Sequence, residues 1–411
     1  MANYSLTRAT IWNLSGYLYL LFASLVSTPI LVSHLGFSSF TTYGLITATL
    51  ILASSIDLGL PQATVRSLVQ AKKTQKERER LWVTSSNLFV STGTLSALIV
   101  GFVTYSFTSS VLTTLIASCI TIMQNLIAHY STLPQAEGHF GYYNTRTYLV
   151  GTANTLVAAF LAFLGFGLTS LLIGQLVAYF LTLIPLVYFS LKFFPTPWQY
   201  KPSWDIAKKL ISFGLRNQFG KLVGQIQAQY GKYLLASLSP ITLTAYLIAQ
   251  SLVQRLAGGV TQVALALYPR ASDQGNNARL RTIYLRLQLG IALLSIIGVI
   301  IYYLAGEPFL TWWLRDTELV HLIVRILNIS IWYLLVLVLT PIPSVILDGS
   351  GRPEHTALMA ALTTVIEISL SFYLLPTYGF MAPVYASLCA IILTTPFLFY
   401  LTSHALNAKL R

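Results

Sequence analysis

Residues 287–305 read Leu287-Gln-Leu-Gly-Ile-Ala-Leu-Leu-Ser-Ile-Ile-Gly-Val-Ile-Ile-Tyr-Tyr-Leu-Ala305, a run without a charged side chain. A bilayer core about 30 Å thick takes roughly 20 apolar residues per helical span, so this run predicts a helix that crosses a membrane. Similar windows, bounded by Gly, Pro or charge clusters, precede it at 11 to 35, 42 to 66, 83 to 106, 109 to 133, 147 to 167, 168 to 192, 209 to 237 and 241 to 268. Three more follow at 319 to 347, 356 to 376 and 380 to 405. About a dozen spans in 411 residues leave only short connections and no room for a sizeable soluble domain. Composition agrees, with 55% hydrophobic and 9% charged residues and a mean hydropathy of +0.68, where a soluble domain carries about a quarter charged residues. The expected fold class is an all-α integral membrane protein.

The run from Ile11 to Leu35, preceded by Arg8, is too long for a signal-peptide core and reads as an uncleaved first helix. Cys119 and Cys389 lie in apolar stretches, which predicts packing residues and neither a disulfide framework nor a cysteine-ligated metal. The six His residues form no cluster with carboxylates, so no metal site and no cofactor are expected; His129, beside Tyr130, reads as interfacial.

Cations resist translocation, and here they sort by loop parity. Lys72, Lys73, Lys76, Arg78 and Arg80 follow the second span; Lys192, Lys201, Lys208 and Lys209 follow the sixth; Arg270, Arg279 and Arg281 follow the eighth. The alternate loops carry almost none, and the one near Glu307 to Glu318 holds Glu307, Asp316 and Glu318 against Arg315. Both termini are therefore expected in the cytoplasm. The net charge of +13 follows from this orientation and from anionic headgroups, without a nucleic-acid partner. The basic segment Lys192 to Lys209, with Pro195, Pro197 and Pro202, divides six spans from six and places the domains at 1–194 and 195–411. Internal repetition is faint: Leu35 to Leu60 and Leu238 to Leu267 both read as a turn, a Tyr near the helix start and a polar-flecked helix.

An ionisable group at mid-bilayer costs about 2.5–3.5 kcal/mol on insertion scales, so each calls for a partner or a purpose. On the seventh span Asn217, Lys221, Gln225, Gln229 and Lys232 fall at spacings of four and three, one face of a helix. The eighth answers with Gln250, Gln254, Gly258 and Gln262, and with Arg255 beside that row. Counting ~1.5 Å per residue puts Lys221 and Arg255 near the same depth, close to the midplane. Lys232 is nearer the outer mouth. Asp57 is deep in the second span and Arg66 near its cytoplasmic exit. Asp57 reads either as a structural partner of a cation or as the group that orients a lysine. One carboxylate cannot neutralise several cations, so an anion is expected to visit; lysine offers a point charge and arginine a planar fork suited to a diphosphate. Glu367 and Arg325 are more isolated and read as mutual or interhelical pairs, with Asp57 and Glu367 also available for ion coupling.

Several segments resemble the oligosaccharide flippases of bacterial polysaccharide assembly, within the multidrug, oligosaccharidyl-lipid and polysaccharide exporter superfamily. They are Pro29-Ile-Leu-Val-Ser-His-Leu-Gly36, Tyr43-Gly44-Leu45, Asp57-Leu-Gly-Leu60 with Ala63 and Arg66, Ala266-Leu-Tyr-Pro269, Pro308-Phe-Leu with Trp312-Trp313-Leu314, and Leu347-Asp-Gly-Ser-Gly351-Arg352. The resemblance implies two six-helix lobes around a central cavity that alternates between inward- and outward-open states. It implies that Lys221, Lys232, Arg255 and Arg66 meet a lipid diphosphate and its sugars. Where such relatives often place an Asp in the seventh helix, this chain has Gln229-Tyr-Gly-Lys232, which puts coupling through that carboxylate in doubt.

The expected function is thus a non-enzymatic carrier in the bacterial inner membrane, moving an undecaprenyl-diphosphate-linked oligosaccharide for O-antigen, capsule or other polysaccharide. Lys221 and Arg255 are expected to hold the diphosphate, Lys232 to receive it, and Gln225, Gln229, Gln250 and Gln254 to contact sugars. Expected partners are membrane lipids, H⁺ or Na⁺ as a coupling ion, and the polymerase and chain-length proteins of the same assembly. The rivals are a cation-coupled multidrug antiporter, which should favour acidic or aromatic cavities, a lipid II flippase, and a membrane glycan polymerase or ligase, which usually relies on a large outer loop.

Overall fold

The computed structural model describes residues 6–71, 74–194, 201–265, 267 and 277–408, with the side chains of 6–14, 140, 145, 216, 217, 265, 277–279, 407 and 408 left out of the description. Lys72, Lys73, Pro195, Pro197, Ala266, Tyr268, Pro269 and Arg270, and the side chains of Arg8, Asn217 and Arg279, lie outside the described residues. Every regular element among the described residues is helical, and the chain forms two compact units, 1–225 and 226–411.

In the first unit α1 (Leu6–Ser54) runs through two expected spans, because the turn between them is a single non-helical residue, Gly36, at φ 71° and ψ 163°. The second span is not the continuous helix expected over 42 to 66. It stops at Ser54 and resumes as α2 (Leu60–Gln70). Leu58 and Gly59 between them take φ 54° and 69°, the left-handed region that favours glycine. Asp57 Oδ1 accepts the Gly59 N–H at 2.9 Å, and a proline at the start of α2 suits a helix N-terminus, where its missing N–H is not needed.

The hairpin of α3 (Gln75–Thr108) and α4 (Val111–Ala136) turns at Ser109, φ 50°, and Ser110 caps α4 by accepting the Thr113 N–H at 3.3 Å. Gly93 faces Asn125 and Gly101 faces Ser118, so small residues let these two helices approach closely. The fifth span is α5 (Phe140–Thr152), a π-helical turn over Ala153–Val157, and α6 (Ala158–Phe163); α7 (Leu168–Phe193) follows, and α4 packs against α2, α3, α5 and α7. The boundary between the units falls within α8 (Trp204–Leu234).

The second unit continues with α9 (Pro240–Leu265) and α10 (Asn277–Leu314). The tenth span, expected to be continuous over 319 to 347, is also interrupted: α11 (Thr317–Leu337) ends, Val338, Leu339 and Thr340 turn, and α12 (Pro341–Gly349) resumes. Then come α13 (Pro353–Tyr378), a 3₁₀ turn at Gly379–Met381, and α14 (Ala382–Ala408). α13 packs on α14, α11 on α9, α10 and α14, and α12 on α9, α13 and α14. The acidic outer loop expected from Glu307 is nearly all helix, since Glu307 and the Trp312-Trp313 pair belong to α10 and Asp316 caps α11 by accepting the Leu319 N–H at 2.9 Å.

Among the described residues seven helical stretches are long and apolar enough to cross a membrane, and two of them, Thr317–Gly349 and Pro353–Leu406, run through more than one element. Large apolar side chains are left outward, Phe102 at 78% and Leu304 at 76% exposed. Water would make that surface costly and lipid does not. The protein is a multi-pass membrane protein, and these seven stretches together with the other apolar helices are compatible with the expected dozen spans.

Two smaller expectations fail. Cys119 and Cys389 are free and exposed on their helices rather than packed. His129 is fully buried instead of interfacial, because Trp82 stacks on it at 4.0 Å with Phe89 and Tyr130 beside it.

The interrupted second span is also where two backbones meet. A Cβ on Gly59 would collide with the Gly214 backbone, and one on Gly214 with the Leu58 carbonyl. Gly214→Leu should therefore destabilise the protein by about 1–3 kcal/mol, the usual range for overpacking. Gly224→Ala, whose added Cβ meets nothing within 4 Å, should leave stability unchanged or slightly raised. Thermal unfolding of the purified proteins in detergent measures both.

Candidate functional site

Two polar clusters hold charged groups of the spans, one in each unit. In the first, the interruption at Ser55 to Gly59 lies along one stripe of α8. Phe213, Gly214, Gln218 and Lys221 are spaced at roughly helical-turn intervals, and each meets the second span. Gln218 Nε2 donates to the Ser55 carbonyl at 2.9 Å, supplying a partner to a backbone group that the broken helix leaves open. The Arg66 guanidinium lies 4.4 Å from the centre of the Phe213 ring, a cation–π contact. Asp57 and Lys221 interact electrostatically, and the lysine itself is exposed.

The second cluster surrounds Glu367 on α13, which is 3% exposed. Its carboxylate accepts from Gln227 Nε2 at 2.6 Å and from Tyr230 OH at 3.1 Å, both on α8, and from Ser387 Oγ on α14. Ser371, one turn along α13, lies within hydrogen-bond reach of the same tyrosine hydroxyl at 2.8 Å. Tyr246 on α9 and Tyr333 on α11 are close enough to interact electrostatically with the carboxylate. The expected pairing with Arg325 is replaced by these neutral donors; Arg325 is exposed and lies over the Phe380 ring at 5.3 Å.

Most of the remaining expected residues are engaged by neighbouring groups. Gln229, 3% exposed, accepts from Lys232 Nζ at 2.6 Å. Gln250 and Gln254 both donate to the Ala228 carbonyl, at 3.5 and 3.3 Å, so they join α9 to α8. Arg255 Nε donates to Ser251 Oγ at 2.8 Å, which fixes one edge of its guanidinium. Gln225 is half-buried at the end of the first unit. Lys221 belongs to the first unit and Arg255 to the second. The sequence did not single out Gln227, Tyr230, Tyr246, Tyr333 or Ser387. Gln227 and Tyr230, three residues apart on α8, and Thr364, Glu367 and Ser371 on α13 carry the only hint, a second polar row at helical spacing.

The chain matches the polysaccharide biosynthesis protein family over residues 6–274 and the MatE family over residues 231–373. A relative from Shigella flexneri described as "Putative O-antigen transporter" is 20% identical over 393 residues, 92% of this chain and 93% of its own. An inward-facing multidrug resistance MATE transporter of the MOP superfamily superposes with a TM-score of 0.72 at 14% identity, over 98% of this chain and 97% of that one. The lipid II flippase MurJ, in an inward closed conformation, gives 0.72 at 14% over 97% and 86%. A MOP superfamily transporter from Pyrococcus furiosus, described as having a binding pocket of reverse polarity, gives 0.65 at 16% over 97% and 95%. The fold is thus that of the MATE and MurJ transporters.

If Asp57 and Lys221 interact as the first cluster indicates, Asp57→Asn and Lys221→Gln should not act additively on stability. An exposed lysine limits the coupling to about 0.2–1 kcal/mol. A double-mutant cycle in thermal unfolding reads it, and strict additivity would dissolve the pair.

Proposed function

This chain belongs to the polysaccharide biosynthesis protein family, and from that membership we propose that it is a flippase for undecaprenyl-diphosphate-linked oligosaccharide repeat units. It carries them from the cytoplasmic to the outer leaflet of the bacterial inner membrane by alternating access, with both of its termini in the cytoplasm. The observation that carries this reading is the charge of α8 and α9. Beyond Asp205 in the first turn of α8 neither helix contains a carboxylate, while Lys221, Lys232 and Arg255 lie along their lengths.

Glu367 takes its hydrogen bonds from an amide and two hydroxyls rather than from these cations. A cargo bearing a diphosphate suits helices with this excess of positive charge. Lys221 and Arg255 are assigned to the diphosphate, Lys232 to its release toward the outer face, Arg66 to its approach, and Gln225 and Gln254 to sugars. Gln229 then positions Lys232, and Gln250 braces α9. Outward movement of a cargo with about two negative charges gains about 2.3 kcal/mol per charge per 100 mV of inside-negative potential.

A second reading, a cation-coupled multidrug antiporter, is favoured by the MATE fold and by the buried carboxylate of Glu367. The cationic character of α8 and α9 argues against cationic drugs as its cargo. Cells lacking the protein should accumulate complete lipid-linked repeat units on the cytoplasmic leaflet, as measured by leaflet-resolved analysis of lipid-linked glycans. The double variant Lys221→Ala, Arg255→Ala should reproduce that accumulation while still inserting in the membrane. Normal export by the double variant removes the site assignment, and an unchanged leaflet distribution in cells lacking the protein favours the antiporter.

A further inference from the structure

The second unit holds a half-open cavity of about 180 Å³ lined by Gln227 of α8, Tyr333 and Leu337 of α11, Thr340 and Ser344 at the interruption of the tenth span, and faces of α13 and α14. That is room for several water molecules. Its walls mix apolar side chains with hydroxyls. Thr340, Ser344, Thr356, Thr363, Thr394 and Thr395 bring hydroxyls to it, and the buried Thr395 Oγ1 finds no hydrogen-bond partner among the described residues. A buried hydroxyl without a partner is the kind of group that ordered water satisfies.

The cavity has a direction. On α13 its lining residues are Thr356, Met359, Ala360 and Thr363, one helix face, and Glu367 is the next residue on that face. The eleven residues from Thr356 to Glu367 span about 16 Å of helix. On the antiparallel α14, Thr395, Thr394 and Ile391 lead in the same way to Ser387, which donates to Glu367. Gln227 closes the deep end, both lining the cavity and donating to the carboxylate. Asp348 lies beside Thr356 at the other end, next to the connection between the tenth and eleventh spans.

We propose that this cavity holds a file of water that carries protons between the Asp348 end and Glu367, a route through the second unit alone. The inference rests on reading the chain as a carrier whose proposed orientation puts the Asp348 end in the cytoplasm. A proton arriving as hydronium on the last water passes to the Glu367 carboxylate and leaves a neutral carboxyl and a water; the reverse step returns it. The titratable groups that face Glu367 are Tyr230 from α8, Tyr246 from α9 and Tyr333 from α11, and no cation is among its hydrogen-bond donors.

The test uses the full chain with Cys119 and Cys389 replaced by serine. Thr363→Cys and Thr395→Cys, and Ser344→Cys should either fail to fold, are treated with 2-aminoethyl methanethiosulfonate in membrane vesicles of each orientation. Modification from the cytoplasmic face, blocked by Ala360→Phe, is the expected result. Reaction no faster than at the lipid-facing control Phe372→Cys overturns the proposal, because a dry cavity cannot conduct. Infrared spectroscopy then follows the carboxyl band that Glu367→Gln removes. Its shift in heavy water should be slowed by Ala360→Phe, and unaltered exchange would send the proton by another way. Neither readout uses the lipid-linked cargo, so a failed flippase reading and a failed proton route are told apart.

Discussion

Inside a bilayer no water stands ready to accept or donate a hydrogen bond, so every backbone group a helix abandons must find a partner within the protein. Two spans of this chain break that continuity, and each break is closed by a glutamine from a neighbouring helix. Gln218 of α8 donates to the Ser55 carbonyl, and Gln288 of α10 donates to the Leu339 carbonyl at 2.9 Å. Glutamine suits the task because its amide is neutral and long enough to reach across from a packed helix. At Ser55 to Gly59 the demand is greater, since Leu58 and Gly59 both sit at positive φ, and Asp57 adds a second side-chain bond through the Gly59 N–H. The close approach of Gly59 to Gly214 lies beside this bond, since Gly214 and Gln218 are one turn apart on α8.

The two units build a buried polar cluster from corresponding spans and fill it differently. In the first, Tyr43 of the second span donates to the Asn154 carbonyl at 3.4 Å in the π-helical turn of the fifth, Gln175 of the sixth donates to Tyr43, and Tyr179 of the sixth accepts from Gln124 at 2.9 Å. In the second, Tyr246 of the eighth span, Glu367 of the eleventh and Ser387 of the twelfth take those places. One cluster is neutral throughout and the other holds a carboxylate. In both Leu35 to Leu60 and Leu238 to Leu267 the tyrosine near the helix start belongs to its unit's cluster.

The spans were legible because lipid imposes one crude demand, an apolar run of sufficient length, and the chain meets it almost everywhere. The interruptions were not, because Ser55 to Gly59 is as apolar as a helix turn apart from Asp57, and the Gly59-Leu60-Pro61 signal for a new helix start sat inside a window already read as one span. Charge drew attention to Lys221, Arg255 and Glu367, and it could not name the neutral groups around them. Gln227, Tyr230 and Ser387 are ordinary residues in a helix until folding turns them toward one carboxylate. The partners of the glutamines were hidden for the same reason. Gln250 and Gln254 share a face with a row that reads as cavity lining, and in the fold both donate to a single carbonyl.

What surrounds Glu367 bears on what it can do. A buried carboxylate held by a lysine or arginine is fixed in its charged form, because protonating it would strand the cation in a medium that solvates charge poorly. Hydroxyl and amide donors impose no such penalty. Tyr230 and Ser387 can turn from donating a hydrogen to accepting one, with Ser371 within reach of the tyrosine hydroxyl and the Pro383 carbonyl within reach of the serine to take up the displaced bonds, and Gln227 can present its oxygen in place of its amide nitrogen. The same side chains therefore satisfy both the carboxylate and the neutral carboxyl, with rotations of hydroxyls rather than movement of helices. A shell of this kind favours reversible occupancy over permanent neutralisation, and the absence of a cation among its donors is the feature that separates Glu367 from Asp57, whose electrostatic partner is Lys221.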